Sequence, residues 1–236
     1  QLQTGVLRLL NPQDLTRIEE ICNDADKRAL FHALCHQRHG LALLSGPTGS
    51  GKSTTLHALM HEAATFNHLQ VITLEDPIEI TDSSYVQLQV NEKSGFMYEV
   101  GIRELLRHDP DIIMIAEVRS VETAHMIVRA ALSGHMVFTT VHAKSCAEVF
   151  ARMREFGVPM HDLRQTVTFV STQRLLLNAE RNGKECIYEV HHGEALRRFM
   201  EEERLPAGHL SIEEEIKSAW ERGRIACGVL EEEIGQ

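Results

Sequence analysis

Eight consecutive residues constrain this chain more than any others: Gly46-Pro47-Thr48-Gly49-Ser50-Gly51-Lys52-Ser53. They form a complete G-x-x-x-x-G-K-S loop. The apolar run Leu41–Leu44 precedes it and a helical pattern over Lys52–Ala64 follows, so strand, loop and helix come in the order such a loop requires. Glycines allow the backbone to wrap around phosphates with its N–H groups pointing inward. The helix N-terminus adds partial positive charge to the same place. In that arrangement Lys52 reaches the β- and γ-phosphates of a nucleotide, and the Ser53 hydroxyl ligates Mg²⁺. An α/β nucleotide-binding core is the expectation.

The rest of the middle of the chain fits that expectation. Strand-like runs at Leu41–Leu44, Gln70–Leu74, Tyr85–Val90, Ile112–Ala116 and Met136–Thr140 alternate with helical patterns. The helical patterns cover Lys52–Ala64, Met97–Arg107, Val121–Ser133, Ala147–Phe156 and His161–Leu176. Alternation of this kind predicts a mostly parallel sheet with helices on both faces. Residues 1–40 read as a lead-in: a short strand-like piece, Val6–Leu10, stops at Asn11-Pro12, and a helical pattern follows through Leu15, Ile18, Ile21, Leu30, Ala33 and Leu34. Residues 179–236 carry fourteen acids and eight bases, with three Glu triplets. Ser211 followed by Glu214 is a capping box that opens a helix toward Trp220. The expected division is thus a lead-in over 1–40, a core over 41–178, and a small, mainly helical C-terminal subdomain over 179–236.

Acids cluster where such a core binds its ligand. Glu117 ends the apolar strand Ile112–Ala116, at the carboxyl end where α/β sheets take up ligands. A carboxylate there holds a water on Mg²⁺ or orients the attacking water. Glu75, Asp76 and Glu79 follow another β run, with Pro77 preventing a helix from continuing. Hydrolysis needs a carboxylate that positions or deprotonates water, so this cluster supplies candidates. His135 and His142 flank the run Met136–Val141, roughly 20 Å apart if the strand is straight. They cannot both touch one phosphate; His142 is the candidate γ-phosphate sensor. His32, His36, His39, His57 and His61 fall at helical spacings without a third ligand and read as incidental surface histidines.

Composition narrows the partners. The chain carries 24 Lys+Arg against 34 Asp+Glu, a formal charge of -10. Nucleic-acid binding that relies on a cationic surface is not expected, nor is docking on anionic lipid by charge alone. The deficit is uneven: -4 through Asn178 and -6 beyond it. No apolar run approaches membrane-spanning length, the longest being the five residues Ile112–Ala116. Five scattered cysteines, never spaced C-x-x-C, argue against a disulfide framework or a thiolate zinc site and fit a reducing cytoplasm. No signal peptide is visible. The chain opens at Gln1 without methionine and is expected to be a piece of a longer protein.

Four motifs in order, G-P-T-G-S-G-K-S-T-T-L, T-L-E-D-P-I-E, L-R-H-D-P-D-I-I-M-I-A-E-V-R and A-L-S-G-H-M-V-F-T-T-V-H, together resemble the secretion ATPases that serve type II secretion, type IV pili and DNA uptake. The stretches Gln87–Gly95 and Arg107–Asp111 are most similar to the competence ATPases of Gram-positive bacteria. The resemblance runs from about Val6 to Leu176. It implies a RecA-like P-loop NTPase core that binds ATP and Mg²⁺, with Thr54 near the α-phosphate, Glu79 aligned with the general base and Glu117 with the acid that organises the Mg²⁺-bound water. Glu75, Asp76, Arg119 and His135 are secondary candidates. It further implies a homo-hexamer on the cytoplasmic face of the membrane, acting through an integral-membrane platform protein to assemble a pseudopilus. Ala116 stands where the family has glycine and Ser120 where it has aspartate. The four-cysteine zinc module that many relatives carry after Gln173-Arg174 is not matched here, so no zinc is expected. The family's N-terminal domain is represented at most by residues 1–12. Two other readings stand beside the motor: a nucleotide-binding scaffold with little turnover, and a DNA-translocating ATPase, which the acidic composition disfavours.

Overall fold

β1 (Gly40–Ser45) is buried along its whole length, and a strand with no solvent-facing side must lie in the middle of a sheet covered on both faces. A computed structural model describes residues 17–202, 206, 208–226 and 228–234 and shows this arrangement. Around β1 the described residues form α1 (Ile18–Ile21), α2 (Ala25–Leu34), α3 (Lys52–Thr65), β2 (Val71–Glu75), β3 (Val86–Gln89), α4 (Tyr98–Leu105), β4 (Ile112–Ile115), α5 (Val121–Leu132), β5 (Met136–Val141), α6 (Cys146–Glu155), α7 (Met160–Thr166), β6 (Val167–Leu177), β7 (Lys184–His192), α8 (Gly193–Glu202), α9 (Ile212–Glu221) and α10 (Val229–Ile234).

The seven strands lie in the order β3-β2-β4-β5-β1-β6-β7. Every neighbouring pair is parallel except β6 with β7. Successive side chains of a strand point to opposite faces. Leu41 and Leu43 of β1 therefore enter one apolar cluster with α4 to α8, while Ala42 and Leu44 enter another with α1 to α3. Parallel strands also bring their carboxyl ends to one edge of the sheet, and this edge carries the loops after β1, β2, β4 and β5. The capping box at Ser211 is present: its hydroxyl accepts the Glu214 N–H and Glu214 accepts the Ser211 N–H at 2.8 Å.

One expected helix is corrected. Of His161–Leu176, only the first turns are helical, in α7; Val167 onward is the strand β6, paired in parallel with β1 and antiparallel with β7. A strand buried on both faces shows no alternation, so its apolar run is easily read as a continued helix. The tail also contributes more than helices, because residues 184–192 form β7 at the edge of the same sheet. Val6–Leu10 and Leu15 lie outside the described residues. Among the described residues no helix is long and apolar enough to cross a membrane.

Candidate nucleotide site

The loop between β1 and α3 adopts a conformation that depends on glycine. Gly46 has φ 145°, and a Cβ there would meet the Gln173 carbonyl oxygen and the Ser50 Oγ at 2.5 Å each. Gly51 caps α3 in the left-handed region, φ 87°. With no side chain at these points, the loop curls over the start of α3. Lys52 lies across the curl, its Nζ donating to the Gly46 carbonyl at 2.8 Å and the Pro47 carbonyl at 2.9 Å. Burial pulls its ammonium below the ordinary lysine range, while the Glu117 charge opposes that shift. A group in this setting gains by exchanging two carbonyls for phosphate oxygens.

A cavity of about 530 Å³ opens in front of the loop. Thr48, Gly49, Gly51, Lys52, Ser53 and Thr54 form one wall, and Gly46, Pro47 and Ser50 complete the loop behind it. The opposite wall comes from the ends of β2, β4 and β5 and includes Glu75, Asp76, Glu79, Glu117, Arg119 and His142. A glycine cradle that a Cβ would fill, a lysine at its lip, and hydroxyls facing metal-ligating carboxylates across the cavity fit a nucleoside triphosphate with its cation. Ser53 and Glu117 fit its Mg²⁺, since hard cations take oxygen ligands.

Glu117 is the hub of the far wall. Its Oε2 accepts from Arg119 Nε at 2.9 Å and its Oε1 lies 2.9 Å from His142 Nε2. Arg119 also reaches Asp76 Oδ2 at 3.3 Å. The hydrogen bond from Arg119 to Glu117 raises the guanidinium above its already high range. Four expected site residues thus meet: Glu117, Arg119, His142 and Asp76. His135 does not join them. It sits at the amino end of β5, with Nδ1 3.0 Å from Ser133 Oγ and 3.3 Å from the Ala130 carbonyl.

The acid cluster after β2 divides. Glu75 is buried and fully engaged: it accepts from Thr73 Oγ1 at 2.6 Å and Gln87 Nε2 at 3.1 Å, and its Oε2 lies 3.2 Å from His57 Nε2. His57 in turn meets the Tyr85 hydroxyl at 2.6 Å. Burial alone would raise the Glu75 carboxyl, yet the His57, Thr73 and Gln87 contacts outweigh it and hold the group below its ordinary range. Glu79 is half-buried and faces the cavity. Reading His57 and His61 as surface residues is corrected here: His57 is buried, and His61 Nδ1 lies 2.7 Å from the buried Asp82.

Two residues near the site carried no signal in the sequence, Gln173 and Tyr98. Gln173 of β6 is fully buried and donates from Nε2 to the Ser50 carbonyl at 2.7 Å, propping the loop from below. Its role was hidden because its segment reads as helix. Tyr98 of α4 lines the cavity with its hydroxyl making no hydrogen bond among the described residues. Burial pushes that phenol up to about 12.

Comparison with known proteins agrees with the geometry. The family described as "Type II/IV secretion system protein" matches residues 3–227. Competence protein ComGA of Bacillus subtilis (strain 168) is 39% identical over 171 residues, covering 72% of this chain and 48% of that protein. ComGA of Halalkalibacterium halodurans is 45% identical over 144 residues, covering 61% of this chain and 41% of that protein. The chain thus spans less than half the length of these relatives. Among solved structures, the pilus retraction motor PilT with bound ADP superposes with a TM-score of 0.80 at 26% identity, over 94% of this chain and 68% of that one. The Legionella pneumophila ATPase DotB, at 24% identity and a TM-score of 0.77 over 93% of this chain and 65% of its own, shares the fold.

Proposed function

The chain belongs to the type II/IV secretion system protein family, and from that premise we propose that it is the ATP-hydrolysing part of a motor that powers assembly of a competence pseudopilus, or a type II secretion-like system, for DNA uptake. The observation that carries the reading is the convergence of the phosphate loop, Glu79, Glu117 and His142 on one cavity at the carboxyl edge of a parallel sheet. In this reading residues 1–40 are a lead-in, 41–178 the ATPase core, and 179–236 a subdomain that lends β7 to its sheet.

The loop amides and Lys52 bind the phosphates, and Thr54 lies by the α-phosphate. Ser53 and Glu117 would hold Mg²⁺, which would supply positive charge to offset that of the β- and γ-phosphates. Glu79 orients the attacking water and takes its proton, so that the new P–O bond forms as the bond to ADP breaks. Lys52 stabilises the charge that develops on the phosphoryl oxygens. His142, bonded to Glu117, reports the γ-phosphate to the end of β5. The protein acts as a homo-hexamer on the cytoplasmic face of the membrane, held there by an integral-membrane platform protein, and makes no direct contact with nucleic acid.

A nucleotide-binding scaffold with little turnover is the second reading. One observation favours it: Arg119 and His142 occupy both oxygens of Glu117. Steady-state phosphate release with Mg²⁺ and ATP separates the two. Turnover unaffected by DNA supports the motor, nucleotide binding without turnover supports the scaffold, and DNA-stimulated turnover contradicts the absence of nucleic-acid contact.

A further inference from the structure

On the side of the sheet that faces α6 and α8, three metal-ligating side chains meet in the interior. Cys146 is the first residue of α6; Glu189 and His191, two apart on β7, project from the same face of that strand. All three are buried, and one ligand atom of each lies within 4.8 Å of the others. His191 Nε2 is 3.0 Å from Glu189 Oε1, and the Cys146 N–H approaches Glu189 Oε2 at 3.5 Å. The Thr172 hydroxyl donates to Cys146 Sγ at 3.4 Å.

Two features distinguish this cluster from ordinary core polarity. Among the described residues Glu189 pairs with no lysine or arginine, although a carboxylate 2% exposed is costly without a compensating cation. His191 is fully buried, and its Nδ1 has no hydrogen-bond partner among the described residues. The imidazole is therefore half satisfied and the carboxylate lacks a firm counter-charge. A divalent cation answers the second deficit, since one thiolate and one carboxylate balance its charge.

We propose that Cys146, Glu189 and His191 form a buried transition-metal site of the zinc class that ties α6 to β7. A thiolate, an imidazole and a carboxylate together are a zinc-type donor set. Ligands at about 2.0–2.3 Å from a tetrahedral ion stand roughly 3.3–3.8 Å apart, so on loading the His191–Glu189 pair, now at 3.0 Å, opens slightly to admit the ion. On binding, the Cys146 S–H bond breaks, its proton leaves to solvent and the sulfur lone pair forms the bond to the metal. The ion would also brace the phosphate loop. Thr172 Oγ1 lies 2.6 Å from Ser45 Oγ, and Ser45 immediately precedes Gly46. Spacing along the chain could not reveal this site, because 43 residues separate Cys146 from Glu189; the expectation of no zinc rests on cysteine spacing and on the unmatched four-cysteine module, neither of which bears on a mixed Cys, Glu and His site.

The test uses the whole chain with Zn²⁺ and Co²⁺ as probes. One equivalent of Zn²⁺ should remain after desalting and raise the melting temperature by about 5–10 °C at a hundredfold excess over its Kd. Co²⁺ should give a thiolate-to-metal charge-transfer band that disappears in Cys146→Ser and persists in Cys35→Ser. X-ray absorption on the zinc-loaded wild type, which needs no variant to fold, should show a shell of one sulfur with nitrogen and oxygen. No retained zinc, a cobalt band that survives Cys146→Ser, or a shell with no sulfur or several would overturn the proposal.

Discussion

His57 Nε2 lies 3.2 Å from Glu75 Oε2, and the two side chains are 5% and 3% exposed. The contact links the helix that follows the phosphate loop to the strand that carries the acid cluster, so it couples two walls of the nucleotide cavity. Removing one member of a buried pair leaves the other charged and unsatisfied, at a cost of about 3–5 kcal/mol. His57→Ala should therefore lower unfolding stability by about 3 kcal/mol. Urea denaturation followed by circular dichroism checks this, and a loss below about 0.5 kcal/mol, the scale of an ordinary surface change, would show the contact to be incidental.

The same network sets an acid limit. The folded Glu75 carboxyl sits below its ordinary value of 4.5 and that of Asp82 below 3.8. For Asp82, burial raises the group, but Ser84 and His61 more than compensate. Groups depressed on folding add stability that is complete above their unfolded values and lost as pH falls through the folded ones. Melting temperature should accordingly drop steeply below about pH 4.5. Glu75→Gln should melt lower than wild type at pH 7 and show a shallower decline in the acid range. Parallel acid slopes for the two proteins would remove Glu75 from the account.

Legibility in the sequence followed exposure to solvent and distance along the chain. The loop Gly46–Ser53 with its flanking strand and helix is one continuous pattern, and it lies where expected. β4 is a pure apolar run ending near an acid, and its Glu117 does face the cavity. β6 reads as helix in the sequence because burial on both faces erases its period. In β7, Glu185 and Glu189 are buried, so a covered edge strand carries the charges of a surface helix. His57 and His61 are satisfied by Glu75 and Asp82, partners 18 and 21 residues away, which no local spacing discloses.

Glycines of the phosphate loop should differ sharply in tolerance. An alanine at Gly46 collides with the Gln173 carbonyl and Ser50, whereas at Gly49 a Cβ meets nothing within 4 Å. Gly49, with φ 81°, then bears only the left-handed backbone penalty of about 1–2 kcal/mol. Gly46→Ala should abolish nucleotide binding measured by calorimetry, and Gly49→Ala should retain it with affinity reduced about tenfold. Equal behaviour of the two variants would mean that the loop rearranges on binding.

Lys52→Ala should fold normally, because among the described residues the Lys52 ammonium bonds only to the Gly46 and Pro47 carbonyls of its own loop. Losing its charge-assisted bonds to phosphate should weaken ATP binding about a hundredfold. Titration with a fluorescent ATP analogue, alongside a melting curve, reads both quantities. Unchanged affinity would move the phosphate site elsewhere.

Glu79 carries the central claim that this cavity hydrolyses the nucleotide it binds. The decisive measurement pairs ATP affinity with steady-state phosphate release for wild type and Glu79→Gln under Mg²⁺. The account predicts affinities within about threefold of each other and a turnover reduced at least about a hundredfold in the variant, the scale of a lost general base. Normal turnover by Glu79→Gln would contradict it.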